Sequence, residues 1–149
     1  MTCLAALLAT LDASGQPASE SAAIQQFQRA ADSYAFSHRQ VERRRDAMPL
    51  AAEGRLFTPV AAAALRSRIA SAVTGDCRAP EPAPGNFAIP VVNGSIAESA
   101  ALPTCIAAKL PKLPDELEYR VAGAALVLID SHLRVVVDVL HGAFPRRDN

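Results

Sequence analysis

Four side chains near the C-terminus are of the types that bind metal ions: Asp130, His132, Asp138 and His141. Imidazole and carboxylate ligands together suit a divalent transition metal. An antiparallel arrangement of the surrounding segments would bring their turns and strand ends close together. Each residue also has a structural interpretation, because Asp is favoured in turns for its bonds to nearby backbone groups and His141 borders a glycine. The sequence leaves both interpretations open.

Asp138 is unusual because it interrupts a run of valines. Two explanations are open, and both are structural. The residue belongs either to a solvent-facing row of a strand or to the core. In the core a buried carboxylate needs a partner, such as Arg120 or Arg134.

The sequence predicts no catalytic residue and no cofactor. It contains no G-x-S-x-G elbow, no phosphate-binding glycine loop and no H-E-x-x-H zinc motif. His38 lies on the apolar face of a predicted helix, which favours a hydrogen-bonded core or boundary histidine. The protein is therefore predicted not to be an enzyme. The remaining catalytic hypothesis is a site covered by the irregular segment of residues 76–116.

The elements that position these side chains begin with a C-terminal β-meander. Val, Ile, Tyr and Leu are dense there, and turn residues separate three predicted strands at residues 118–122, 126–130 and 134–140. Their connections are too short for parallel crossovers, so the strands should be antiparallel. Alternation places Val135, Val137 and Val139 on one face of the third strand. Both faces are largely apolar, so the sheet needs cover from the first half of the chain.

Two helices are predicted to supply that cover. The first spans residues 21–47, where the side chains of one narrow face recur three and four residues apart at Ile24, Phe27, Ala31, Tyr34, His38 and Val41, and Met48 follows seven residues further on. Residues 14–21, which precede this helix, are predicted to be a linker. Thr58 and Pro59 provide an N-cap and a first-turn proline for a second helix, which ends near Val73. These two helices are therefore predicted to form a helical hairpin that packs on the meander.

The resulting fold class is α+β, with one small domain over residues 21–149. Its helices lie within residues 21–75, an irregular proline-rich segment covers residues 76–116, and the meander covers residues 117–142. Residues 1–20 are predicted to be a signal-peptide remnant or a flexible N-terminus. The apolar run at residues 1–11 lacks the basic start of a secretory signal, and the alternative is a short helix packed on the domain.

An arginine cluster, Arg39, Arg43, Arg44 and Arg45, marks the end of the first predicted helix. Cations suit the C-terminal end of a helix dipole, and Glu42 and Asp46 lie within pairing reach. The cluster is either a solvated helix end or a partner-binding patch. The formal net charge is zero, with 15 basic and 15 acidic residues, which argues against nucleic acid as the main partner.

The three cysteines, Cys3, Cys77 and Cys105, form no C-x-x-C pair. A bridge between Cys77 and Cys105 would connect the two ends of the proline-rich segment, and it would require an oxidising compartment. The alternative is two free thiols, buried or partly exposed.

A family resemblance rests on Tyr119-Arg120-Val121, Gly123, the stretch from Leu126 to Asp130 and the stretch from Val136 to Val139. This pattern resembles the C-terminal part of a set of uncharacterised exported bacterial proteins. More distantly it is similar to the β-meander of the periplasmic nickel/cobalt-homeostasis family. The resemblance implies an exported bacterial protein, periplasmic or secreted, with a small β-meander. It implies no catalytic residue, and the chain lacks a histidine-rich tract.

Two functional hypotheses follow. The first is a non-catalytic exported module that binds a protein partner, itself or an envelope component, through a sheet face or edge that the helices leave free. The alternative is a periplasmic metal-handling accessory protein that uses Asp130, His132, Asp138 and His141.

Overall fold

The computed structural model describes residues 15–44, 51–74, 76–80, 90–95 and 99–144. Its elements in chain order are α1 (Gly15–Arg44), α2 (Pro59–Ala72), β1 (Ala100–Ala101), α3 (Thr104–Ala107), β2 (Leu117–Ala122), β3 (Ala125–Asp130) and β4 (Val135–Leu140). The predicted α+β class is confirmed. The prediction of a signal remnant concerns residues that lie largely outside these ranges. In the described ranges, no helix has the length and apolar character needed to cross a membrane.

Helix α1 begins at Gly15, six residues before the predicted start, so most of the predicted linker is helical. Pro17 is compatible with this start because the first N–H groups of a helix have no intrahelical acceptor. The buried face includes Ile24, Phe27 and His38. An ion pair of 2.9 Å between Arg68 Nε and Glu20 Oε1 connects α1 with α2.

Helix α2 has the predicted cap and first-turn proline. The Thr58 hydroxyl accepts a bond from the Ala61 N–H, and Pro59 is the first helical residue. Small side chains face the core along this helix, at Ala61, Ala62, Ala64 and Ala72. They permit a close approach of the helical hairpin to its neighbours. The ring of Phe27, in α1, stacks on the ring of Phe57 with 5.7 Å between centroids and on the ring of Tyr119 with 6.4 Å.

The described sheet has four antiparallel strands in the order β1-β2-β3-β4, one more than predicted. The additional strand is the two-residue β1, in which Ala100 pairs with Val121 and Ala101 with Arg120. Two residues are too few to show an alternating pattern in the sequence. The guanidinium of Arg120 also donates to the Ser99 hydroxyl and carbonyl, which holds this edge in place.

A β-bulge changes the faces of β4. Leu128 pairs with Asp138 and Ile129 with Val136, so Val137 is an extra residue in the ladder. The prediction that Val137 shares a face with Val139 is therefore wrong. Val137 packs in the core beneath the helices, whereas Val139 packs on the opposite side. The bulge also places Asp138 on the helix side, next to the loop that precedes α2.

Both faces of β3 and β4 are buried, apart from the partly exposed Val135, whereas β1 is exposed and β2 is partly buried. Leu126 and Leu128 contact the helical core, while Val127 and Ile129 on the other face have no exposed surface, and Val92 packs against this second cluster. The edge of β4 is also paired, by bonds from the Asn93 N–H to the Val136 carbonyl and from the Val136 N–H to the Gly94 carbonyl, and by a bridge between Ser95 and Val135. In the described part of the chain, β3 and β4 therefore present no free apolar face, and the partner-binding surface stays a prediction.

Cys77 and Cys105 are paired at disulfide distance, which is one of the two interpretations that the sequence left open, with their Cα atoms 5.9 Å apart. This separation lies within the usual range for disulfides. The bond links the end of the α2 region to the short helix α3 and closes a loop with a sequence separation of 28. It therefore bridges the ends of most of the proline-rich segment.

Reduction of this bond is expected to lower the free energy of unfolding by about 3–4 kcal/mol, the chain-entropy value for a loop of this length. Urea unfolding with and without a phosphine reductant measures the difference. The Cys77→Ser/Cys105→Ser double variant is the control, since the reductant should no longer change its stability. An equal effect of the reductant on both proteins would contradict the prediction.

Candidate metal centre

The four predicted metal ligands do not form one site. Asp130 ends β3, His132 lies in the turn before β4, Asp138 is buried in β4 and His141 follows it. His141 is half-exposed, and its Nε2 lies 3.3 Å from Glu53 Oε1. Among the described residues, the ligand atoms that converge belong instead to His38, Glu42 and His132.

Asp138 is a fully buried carboxylate held by backbone amides. Its Oδ1 accepts from the N–H groups of Gly54 (2.8 Å) and Val139 (2.9 Å), and its Oδ2 accepts from those of Leu56 and Phe57 (2.8 Å each). The prediction of an arginine partner is wrong, because main-chain donors supply the compensation that burial requires. Asp138 therefore connects the sheet to the loop before α2 and is not available to a metal.

Asp130 organises the opposite end of β3. Its Oδ1 accepts from the backbone N–H groups of His132 (3.0 Å) and Leu133 (2.8 Å), which is the turn chemistry predicted for this residue. Its Oδ2 accepts from the Tyr34 hydroxyl at 2.9 Å and lies 2.5 Å from Nδ1 of His38. One buried carboxylate thus binds both the turn and helix α1.

His38 is almost completely buried, and its two ring nitrogens face different neighbours. Nδ1 faces Asp130, while Nε2 is a buried atom without a hydrogen-bond partner in the described structure. Nε2 lies 3.3 Å from Glu42 Oε1, an ion-pair distance without the alignment of a hydrogen bond. Burial lowers the pKa of His38, but the hydrogen bond to Asp130 and the charges of Asp130 and Glu42 outweigh it and raise that pKa above its usual value.

The same cluster shifts the pKa values of two neighbouring groups, Glu42 and Tyr34. His38, and after it His132, hold the pKa of the Glu42 carboxyl below its usual range. Burial, together with the hydrogen bond to the Asp130 carboxylate and its charge, raises the pKa of Tyr34 well above its usual value. Tyr34 therefore remains a neutral hydroxyl that donates to Asp130.

The three converging ligand atoms are His38 Nε2, Glu42 Oε1 and His132 Nδ1, all within 4.8 Å of one another. Glu42 Oε1 lies 3.3 Å from His38 Nε2 and 3.4 Å from His132 Nδ1. On a tetrahedral ion with bonds of about 2.0–2.1 Å, two ligand atoms lie about 3.3–3.4 Å apart. Two of the three separations therefore fit a tetrahedral ion without rearrangement.

The fold explains why these atoms meet. His38 and Glu42 are four residues apart on α1 and so lie on the same helix face. His132 lies in the turn that Asp130 fixes, and its ring packs edge-on against that of His38, with 5.3 Å between centroids. Asp130 in turn orients the His38 ring through Nδ1. A carboxylate at the far nitrogen of a histidine is the usual outer-shell arrangement of metal-bound imidazole.

The predicted arginine patch is only partly described. Arg39 is engaged in an ion pair of 2.7 Å with the buried carboxylate of Glu116, and Arg43 is exposed. Arg44 is the last residue of α1, and Arg45 lies outside the described ranges. A partner-binding role for this cluster stays a prediction.

Sequence reasoning placed His38 correctly in the core but did not identify it as a candidate ligand. The signal present in the sequence was the spacing of His38 and Glu42 at one helical turn. Comparisons of the chain with protein-family models, with curated proteins and with solved structures gave no match. The resemblance to exported bacterial proteins therefore stays a prediction.

Proposed function

We propose that this chain is an exported metal-binding protein that holds one divalent transition-metal ion between His38, Glu42 and His132. The observation that carries the proposal is the buried His38 Nε2, which makes no hydrogen bond to a described residue and lies within 4.8 Å of the other two ligand atoms, 3.3 Å from Glu42 Oε1. A buried polar atom without a partner is costly to the fold. A bound cation would satisfy it.

The donor set favours ions of the zinc, copper, nickel and cobalt group. Two imidazoles and one carboxylate suit these ions, whereas magnesium and calcium prefer oxygen ligands. The paired Cys77 and Cys105 support an oxidising compartment such as the periplasm or the extracellular space, because disulfides are rare in the cytosol. Together these features favour the metal-handling hypothesis with a different set of ligands from the one predicted.

The hypothesis of an exported module that binds a protein or envelope component has less support. It depended in part on an apolar sheet face left free by the helices, and the side chains on both faces of β3 and β4 are largely buried. The β4 edge is occupied by residues 93–95. The metal ligands are therefore the better basis for a function.

The test is calorimetric titration of the untagged, metal-free full chain with zinc, nickel, cobalt and copper. The expected result is one ion per chain, with a dissociation constant below about 100 μM for at least one metal. The His132→Ala variant should bind that metal at least about 10-fold more weakly, since it loses one of three ligands but no described backbone contact.

His141→Ala is the matched control. Its side chain is half-exposed and lies 3.3 Å from a glutamate oxygen, much as His132 does, but it has no second ligand atom beside it. Its affinity should equal that of the unchanged protein. The proposal fails if no metal binds more tightly than about 100 μM, or if both histidine variants lose affinity equally.

A further inference from the structure

We infer that the bound ion keeps at least one coordination position open towards solvent, and that this position takes a neutral nitrogen donor from outside the chain. This inference rests on the proposed metal site and adds the class of ligand that the site accepts. The relevant chemistry is that of an imidazole or an amine.

The first argument is the unequal burial of the three ligands. The side chain of His38 is 1% exposed, whereas those of Glu42 and His132 are 54% and 50% exposed. One ligand therefore lies at the bottom of the site and two lie at its mouth. An ion bound by all three sits at the protein surface, with its remaining positions facing outwards.

The second argument is that, among the described residues, the buried side of the site offers no further ligand. Asp130 Oδ2 is engaged with Tyr34 and with Nδ1 of His38, and its Oδ1 accepts two backbone N–H groups of the turn. Three protein ligands are one fewer than a tetrahedral ion requires. With the ligands that the described residues supply, the fourth position is left to the solvent side, to water or to a donor that replaces it.

The third argument is charge. The two positive charges of the ion are balanced by the carboxylates of Glu42 and Asp130, and the adjacent pair of Arg39 and Glu116 is also neutral. The formal charge of the site therefore gives an approaching anion no long-range attraction, and binding of an anion would leave the site negatively charged. Imidazole and amine nitrogens bind these metals as neutral ligands, so they can replace the water without adding charge to the site.

The exchange step is a ligand substitution without electron transfer. The nitrogen lone pair of the incoming donor forms a bond to the ion, the bond between the ion and the outer water breaks, and the water leaves unchanged. His38 stays attached throughout because Asp130 and the surrounding core hold its ring. The two exposed ligands, Glu42 and His132, are the ones that a second incoming donor can displace.

The experiment uses the full-length protein loaded with one equivalent of cobalt(II), whose visible absorption reports its coordination. Titration with imidazole should shift the bands saturably in the millimolar range while the cobalt stays with the protein on ultrafiltration. Sodium acetate at the same concentration and ionic strength should leave the bands nearly unchanged. The His141→Ala variant should behave as the unchanged protein does in both titrations.

The outcomes separate the two proposals. If cobalt binds but imidazole leaves the bands unchanged, the open position is disproved while the metal site stands. If acetate shifts the bands as much as imidazole, the preference for a neutral donor is disproved. If cobalt makes the protein dimerise and His141→Ala prevents it, the open position is supported, and its nitrogen donor is the His141 imidazole of a second copy. If no metal tested binds to the chain, the proposed function and this inference fail together.

Discussion

Replacing Asp130 with alanine is expected to lower the free energy of unfolding by about 3–5 kcal/mol, the usual effect of removing one partner from a buried polar cluster. The substitution leaves the Tyr34 hydroxyl and His38 Nδ1 without their acceptor in the core. It also removes the acceptor of two backbone N–H groups in the turn before β4. Helix α1 and the turn then lose their common attachment.

The Asp130→Asn substitution separates the contribution of the turn from the contribution of the bonds to Tyr34 and His38. The amide oxygen can still accept from the turn, but its nitrogen cannot accept from Tyr34, so a loss of about 2–3 kcal/mol is expected. The metal affinity of the folded protein should fall about 10–100-fold, as for other outer-shell partners of a metal-bound histidine. Urea unfolding of the metal-free protein and calorimetric titration below the transition measure the two quantities.

Asp115→Ala is the control for both Asp130 variants, because Asp115 is exposed and only its backbone carbonyl is hydrogen-bonded, by Ser131. Its stability should change by less than about 0.5 kcal/mol. Asp130→Asn with unchanged stability and unchanged metal affinity would show that Asp130 organises neither the fold nor the site.

Replacing Asp138 with alanine is expected to have an effect of similar size on stability and none on the metal. The change leaves the N–H groups of Gly54, Leu56 and Phe57 without an acceptor, two of them in a buried part of the loop. A loss of about 3–5 kcal/mol follows from the cost of several unsatisfied buried donors. Amide hydrogen exchange should accelerate first at these three positions.

Calorimetric titration provides the contrast with Asp130. The Asp138→Ala protein should bind metal with the affinity of the unchanged chain wherever it is folded, because Asp138 contacts none of the three ligands. A destabilisation below about 1 kcal/mol would mean that water replaces the carboxylate at the three amides. A loss of metal affinity without loss of stability would contradict the separation of the two aspartates.

The sequence predicted those elements whose signals are local. The Thr58 cap, the first-turn Pro59 and the turn at Asp130 depend on contacts within a few residues, and all three are present. The antiparallel meander follows from short connections between apolar runs. The pairing of Cys77 and Cys105 was one of two open interpretations, and the fold brings them together.

Other features depend on tertiary contacts that sequence patterns do not record. The bulge at Val137 adds one residue to a strand whose alternation looks regular in the sequence. It can be recognised only from the pairing of β4 with β3. Three of the four amide partners of Asp138 lie more than 80 residues away in the chain, in a loop with no distinctive pattern. Buried acids suggest arginine partners, but backbone N–H groups are equally good donors.

For the same reason, the sequence singled out residues of the candidate metal centre but not their convergence. His132 was identified from its turn and His38 from its helix, but nothing in the sequence gives the packing of α1 against the turn between β3 and β4. Glu42 was considered only as a partner for the helix-end arginines. The convergence of these three residues depends on the angle and height at which the helix lies on the sheet, which is set by the whole core.

The distance along the chain between His38 and Asp130, a separation of 92 residues, has a consequence for when the ion can be acquired. Two ligands come from the first third of the chain and one from its last fifth, so the centre forms only after the complete chain has folded. A chain that crosses a membrane unfolded carries no metal with it. An exported form of this protein would therefore take its ion from the compartment in which it folds, and its metal content would reflect the ions available there.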